Sequence, residues 1–141
     1  KALFGREIDM RENKFRAWDE ELKKMYSGDE IEGEDNLNAW LSYGELAIYR
    51  VDDGEYTQLK NLQYAEIRDS EGIEIYEGDI CKRTVFAFGE PRKFVGQVMM
   101  FEGCWWIDNG TAAVPLWNEM HILEIVGNIY ENPELLKNIT K

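Results

Sequence analysis

The 141 residues include 28 Asp and Glu against 16 Lys and Arg, for a formal charge of −12, and 44% of them are hydrophobic and 13% aromatic. That length suits one domain, the apolar and aromatic content excludes a chain disordered throughout, and no run approaches the roughly 20 apolar residues of a membrane span. The charge is uneven: Lys1 to Ile80 holds 10 basic and 21 acidic residues, Cys81 to Lys141 only 6 and 7. A field of this sign repels nucleic-acid phosphates and membrane surfaces, and its first use is solubility.

Lys1 to Asp9 has no period and reads as a tail, with Met10 as a natural start. Asn13 to Trp18 alternates around Phe15 and Ala17, as a strand does. Asp19 to Lys24 is a charged turn, and Met25 and Tyr26 begin a second strand. Ser27 to Asp35, with five carboxylates and two glycines, reads as an exposed loop; it lacks the ligand order of a calcium loop. Leu46 to Val51 and Glu55 to Leu59 flank Asp52-Asp53-Gly54, whose Asp-Gly step signals a hairpin. Leu62 to Tyr64, Glu74 to Tyr76 and Ile80 to Phe86 are further β runs, and Gly89-Glu90-Pro91 breaks the chain. Phe94 to Phe101 and Cys104 to Ile107 join through Glu102-Gly103, and Asn109-Gly110 turns the chain into Thr111 to Val114. Pro115 to Met120 suits one helical turn. His121 to Tyr130 is the last β run, with Gly127 at a bulge. Asn132-Pro133-Glu134 starts a short helix, with Asn as cap, Pro at the first position and a carboxylate at the positive dipole end.

No catalytic constellation emerges. His121 is the sole histidine and sits beside Met120 and Ile122, in a structural or surface setting. No nucleophile elbow, zinc-binding His pair or phosphate loop occurs. Cys81 and Cys104 have no metal-type spacing and read as small buried hydrophobes; with no export signal they imply reduced thiols in a cytoplasm. The carboxylate pairs Glu77/Asp79 and Asp52/Asp53 read as turn chemistry. Catalytic, cofactor and metal residues are therefore expected to be none. One constellation stands out: Lys82, Arg83, Arg92 and Lys93 near Trp105 and Trp106, the mixture of charge and stacking that single-stranded nucleic acid uses. Four basic residues are few against −12, so tryptophans in a core and solvated basic side chains are the preferred account.

Three segments, taken together, carry a resemblance. They are Met10-Arg11-Glu12-Asn13-Lys14-Phe15-Arg16-Ala17-Trp18-Asp19; Leu62-Gln63-Tyr64 followed by Asp69-Ser70-Glu71-Gly72-Ile73-Glu74-Ile75-Tyr76-Glu77-Gly78-Asp79-Ile80; and Glu124-Ile125-Val126-Gly127-Asn128-Ile129-Tyr130-Glu131-Asn132-Pro133-Glu134-Leu135-Leu136. In this order they resemble the YopX family, small proteins encoded by phages and prophages. The family commonly has Thr-Gly where this chain has Ala65-Glu66. The resemblance implies a β-rich fold with an SH3-like barrel in the C-terminal half and no assigned activity. Its motif residues look architectural: Tyr76 and Ile80 as core, Gly78 and Gly127 as special backbone positions, Pro133 as helix start.

The expected architecture is mostly β: a tail over 1–9, an acidic N-terminal β region over 10–72, an SH3-like small barrel over 73–131 and a short C-terminal helix with tail over 132–141. The expected role is a non-enzymatic phage or prophage accessory protein in the cytoplasm of a bacterial host, with a host or phage protein or a second copy of itself as partner. Nucleic-acid binding through the Lys82/Arg83/Arg92/Lys93 face is the alternative, followed by DNA mimicry by Asp29, Glu30, Glu32, Glu34 and Asp35.

Overall fold

Alternating side chains and two-residue turns build this chain into two antiparallel sheets. It is a computed structural model that describes residues 2–3, 6–7, 12–87, 89–117 and 121–137. Near the start, β1 (Ala2–Leu3) pairs antiparallel with β2 (Arg6–Glu7), within the stretch expected to be a tail; the rest of 1–11, Met10 included, lies outside the described residues.

The first sheet runs β4 (Lys24–Tyr26), β3 (Phe15–Asp19), β7 (Glu55–Arg68), β6 (Glu45–Asp52), β5 (Leu37–Ser42), and β8 (Glu74–Tyr76) pairs with the far end of β7. Its hairpins turn through Tyr43-Gly44 (φ 53° and 81°) and the expected Asp53-Gly54 (φ 49° and 81°), the left-handed pair that a type I′ turn requires. Leu62 to Tyr64 is no separate run: β7 continues through it for 14 residues. A second correction falls on Ser27 to Asp35. Rather than a loop, it contains α1 (Gly28–Gly33), opened by a capping box in which Ser27 Oγ accepts from the Glu30 N–H and the Glu30 carboxylate accepts from the Ser27 N–H. The acidic residues Asp29 and Glu30 in its first turn favour the positive dipole end. Ile31 packs onto a core of Ala17, Tyr26, Leu37, Ile48 and Leu59.

The second sheet runs β12 (Ala113–Pro115), β11 (Cys104–Asp108), β10 (Glu90–Phe101), β9 (Asp79–Ala87), β13 (Ile122–Asn128). The meander turns as expected at Glu102-Gly103 (φ 51° and 79°), and β13 is bulged between Ile125 and Gly127. Gly89-Glu90-Pro91 does not break the sheet, because Pro91 pairs with Phe86 inside β10. It is tolerated there since β11 reaches only from Gln97 to Phe101, which leaves the other side of β10 open at Pro91. Among the described residues the ladder does not close into a barrel. At one end β12 has three residues and ends on Pro115; at the other, the outer edge of β13 is occupied by Ser70 and Asp69. The expected turn over Pro115 to Met120 lies partly outside the described residues, and Pro115 itself ends β12. A short helix follows where expected, α2 (Glu134–Lys137), but it begins one residue after Pro133, and Asn132 Oδ1 accepts from the Asn128 N–H at 3.2 Å rather than capping the helix.

The core of this second sheet is Cys81, Val98, Ile107, Leu116 and Leu123, together with Ala65 from β7 and Ile75 from β8. Each such side chain, fully buried, contributes about 1.5–3 kcal/mol if it is the size of Val or Leu. The same β7 gives Leu59 to the first core and Ala65 and Ile67 to the second. At the joint, Arg16 pairs with buried Asp79 and lies 4.8 Å from the Tyr76 ring centroid, and Trp18 stacks on Tyr130 at 5.4 Å. Burial pushes the Asp79 carboxyl up, against the opposing pull of Arg16. The Ser70 N–H donates to the Leu123 carbonyl at 2.8 Å, and Ser70 Oγ accepts from the Leu123 N–H at 2.9 Å. Ile80 is fully buried, as expected, whereas Tyr76 is half-buried. A Cβ on Gly127 would lie 2.7 Å from Asn132 Oδ1, which explains the glycine beside α2.

The Ala65-Glu66 step places Glu66 at φ 63°, a left-handed conformation that costs an ordinary residue about 1–2 kcal/mol. Glu66→Gly relieves that backbone cost but gives up the side chain's own contact and adds unfolded-state entropy, so the melting midpoint in thermal unfolding is expected to move by no more than roughly 3 °C. An unchanged or lower midpoint would show that the Glu66 side chain offsets its backbone.

Candidate interaction surface

The register of β9 and β10 separates the basic constellation. Lys82 lies across from Val95 and Lys93 across from Thr84; Arg83 lies across from Phe94 and Arg92 across from Val85. Alternation therefore puts Lys82 and Lys93 on the outer face and Arg83 and Arg92 on the core-side face. The tryptophans divide likewise. Trp105, opposite Met100, packs against the second core, while Trp106, opposite Met99, shares the outer face and donates Nε1–H to the Phe101 carbonyl at 3.0 Å. The structure thus brings Lys82, Lys93 and Trp106 to one face and Arg83, Arg92 and Trp105 to the other. Lys82 is offset by Glu124 at 3.7 Å on β13. Arg83 donates to the Pro115 carbonyl at 3.4 Å, and its burial lowers its pKa.

Burial and the nearby Arg83 charge also push the half-buried His121 down, toward its neutral form. Cys81 is buried, and burial raises its thiol pKa; Cys104, expected to be buried, faces solvent at the end of the β10–β11 turn. Among the described residues no group of three His, Cys, Asp or Glu is arranged to hold a metal ion, and no helix is long and apolar enough to cross a membrane.

A groove of about 510 Å³ lies between α1 and β8, floored by Phe15, Ile31, Leu46, Ile48 and Tyr76. Among the described residues its single cation, Lys14, is already paired, while Asp29 and Glu32 leave the lining acidic. Lys14 Nζ is 2.6 Å from Glu74 and 2.9 Å from Glu12, and Arg68 reaches Glu74 at 3.3 Å. The bond from Lys14 holds Glu74 below the ordinary carboxylate range.

The most distinctive exposed feature is aromatic and was not signalled by any motif. Registers Trp40↔Ala47, Asn38↔Tyr49 and Val51↔Tyr56 place Trp40, Tyr49 and Tyr56 on the face of the first sheet opposite its core. Trp40 stacks on Tyr49 at 4.6 Å, and Tyr56 meets both edge-on at 6.2 and 6.1 Å. Although packed on each other, Trp40 and Tyr56 remain 42% and 62% exposed. The signal available in the sequence was the period-2 alternation from Asn38 to Ser42, hidden because Leu37, Ala39 and Leu41 make the other face apolar as well.

Two antiparallel sheets, the long β7 of the first reaching into the core of the second, with an aromatic outer face, define a mostly β protein. The model of the family described as YopX protein matches residues 14–137, and the chain belongs to the YopX family. Two solved structures resemble it. YopX from Bacillus subtilis is 22% identical with a TM-score of 0.60, covering 86% of this chain and 96% of its own. EF1440 from Enterococcus faecalis is 24% identical with a TM-score of 0.52, covering 88% and 97%. No curated protein sequence matches. At these identities the likeness is one of fold.

Proposed function

We infer that this chain is a non-enzymatic phage or prophage accessory protein, working in the cytoplasm of a bacterial host by protein–protein contact. The observation that carries this reading is the solvent-facing cluster of Trp40, Tyr49 and Tyr56. Trp and Tyr, with Arg, are enriched at binding hot spots, where a few residues carry most of the affinity. A ring cluster left in water on a sheet face has apolar area to bury on a partner. The five-stranded sheet is read as an open relative of an SH3-like barrel. Its meander, the return of the last strand to the first and the bulge at Ile125/Gly127 support that reading. The split of the basic residues between two faces, and the pairing of Lys82 with Glu124, weigh against the nucleic-acid alternative.

The test immobilises the wild-type chain and a Trp40→Ala/Tyr56→Ala variant and measures what each retains, from host extract and from its own purified chain, at low and high salt. Protein retained at high salt by the wild type and lost by the variant is the expected result. Retention of nucleic acid alone, falling steeply with salt and indifferent to the variant, would replace this reading by the basic-face one.

A further inference from the structure

Among the described residues the two strand orders end on β4, β5, β12 and β13, and three of these four end strands are blocked. On β4 the edge is three residues long and carries Lys24. The β12 edge is equally short and ends on Pro115. On β13, Ser70 Oγ takes the Leu123 N–H and Asp69 takes the Ile125 N–H. These are the usual protections against edge-to-edge pairing. The fourth edge, β5, has none. Its six residues, Leu-Asn-Ala-Trp-Leu-Ser, contain no charge and no proline in a chain that is 31% charged.

Its free hydrogen-bonding groups can be assigned. The Val51 N–H donates to the Asn36 carbonyl at 2.8 Å, so with the β5–β6 register the hydrogen-bonded pairs are Asn38↔Tyr49, Trp40↔Ala47 and Ser42↔Glu45. Leu37, Ala39 and Leu41 turn their backbone groups outward. The Leu37 N–H is taken by the Glu34 carbonyl at 3.2 Å, which among the described residues leaves Ala39 and Leu41 as an open template.

We propose that β5 is the seam of a two-fold homodimer: two copies of this chain pair β5 antiparallel, Ala39 of each bonding Leu41 of the other and Trp40 lying beside Trp40 of the second copy. This rests on the protein-contact reading and names its partner. In that register the ring stack Tyr56–Tyr49–Trp40 continues across the axis into its own copy, and no charge on either β5 faces another. Electrostatics also favours the antiparallel arrangement. The acidic α1 adjoins the Leu37 end of β5, so antiparallel pairing sets the two helices about 20 Å apart at opposite ends of the seam, beyond a Debye length of about 8–10 Å. Because each copy carries −12, association strengthens as salt is added, the opposite of a nucleic-acid contact.

The experiment measures mass against concentration by light scattering at low and high salt, for the wild type and Ala39→Pro. Proline there removes an outward N–H without touching the β5–β6 ladder, and circular dichroism checks that the fold survives. A dimer favoured by salt and weakened about tenfold or more in Ala39→Pro is expected. In a Cys104→Ser background, Asn38→Cys with Ser42→Cys should yield a covalent dimer on oxidation, because those positions face each other across the seam as a close, non-hydrogen-bonded pair. Neither single cysteine should do so. A monomer at every concentration, a dimer indifferent to Ala39→Pro, or cross-links from a single cysteine would each overturn the proposal. If the chain is monomeric while the Trp40/Tyr56 variant still loses a foreign partner, this seam fails and the protein-contact reading stands.

Discussion

Replacing Arg50 with methionine is expected to destabilise the fold by about 3–5 kcal/mol, a large share of what a domain of this size possesses. Asp19 is fully buried and Arg50 is 5% exposed; Nε donates to Asp19 Oδ2 at 2.6 Å, and the guanidinium also pairs with Asp52. Asp19 meanwhile accepts from the Glu21 and Leu22 N–H groups at 3.1 and 3.0 Å, holding the turn into β4. Methionine fills the volume but leaves a buried carboxylate with those two bonds alone. The pH dependence carries its own sign. Burial works to raise the Asp19 pKa, but the Arg50 bond and the backbone donors outweigh it, and the folded value lies below the ordinary one. The pair's stabilisation is therefore present above a pH of about 4 and is lost as pH falls through the depressed folded value. Denaturant unfolding of wild type and variant should give curves that converge on acidification. A gap that stays constant with pH would mean that Arg50 acts by packing rather than by charge.

The second large effect is expected at Gly78. It takes φ 87°, and a Cβ there would lie 2.8 Å from Tyr130 Cε2. Its N–H donates to the Val98 carbonyl, and its carbonyl accepts from Ile129, so the backbone has little room to move. Gly78→Ala combines a left-handed alanine, about 1–2 kcal/mol, with displacement of Tyr130 from Trp18, in the range of about 1–3 kcal/mol for overpacking. Gly54→Ala is the control. Its φ is 81° but nothing lies within 4 Å of the added Cβ, so it registers the conformational part alone. Thermal unfolding of the two variants should separate by about the overpacking contribution. Equal losses would mean that Tyr130 yields freely and that the joint between the sheets is soft.

The hairpins are legible in the sequence because Asp53-Gly54 and Glu102-Gly103 supply the positive φ that their turns require, and α2 because Asn132-Pro133-Glu134 stacks three start signals. Helix α1 hides for the opposite reason: two glycines and five carboxylates suit a loop, and only the Ser27/Glu30 capping box betrays the helix. Strand β5 hides because Trp40 interrupts the polar positions Asn38 and Ser42 on one face while Leu37, Ala39 and Leu41 make the other apolar. The fate of the basic constellation follows from the period of a strand. Lys82 and Arg83 are neighbours, as are Trp105 and Trp106, and neighbours on a strand point apart. What no local pattern contains is the pairing between distant segments, such as Arg16 with Asp79 or Ser70 with Leu123, and these define the joint.

The order of the second sheet also bears on how the chain is made. Its first strand, β9, is paired on one side by β10 but on the other by β13, which leaves the ribosome after β10, β11 and β12. At about 5–20 residues per second, the interval between the emergence of Asp79 and that of Ile122 is roughly 2–9 s. Through that time one flank of β9 stands bare, and Cys81 and Val98 wait for Leu123 to close over them. Lys82, Arg83 and Thr84 lie on that strand, and charge on a bare strand is a general protection against pairing with the wrong neighbour.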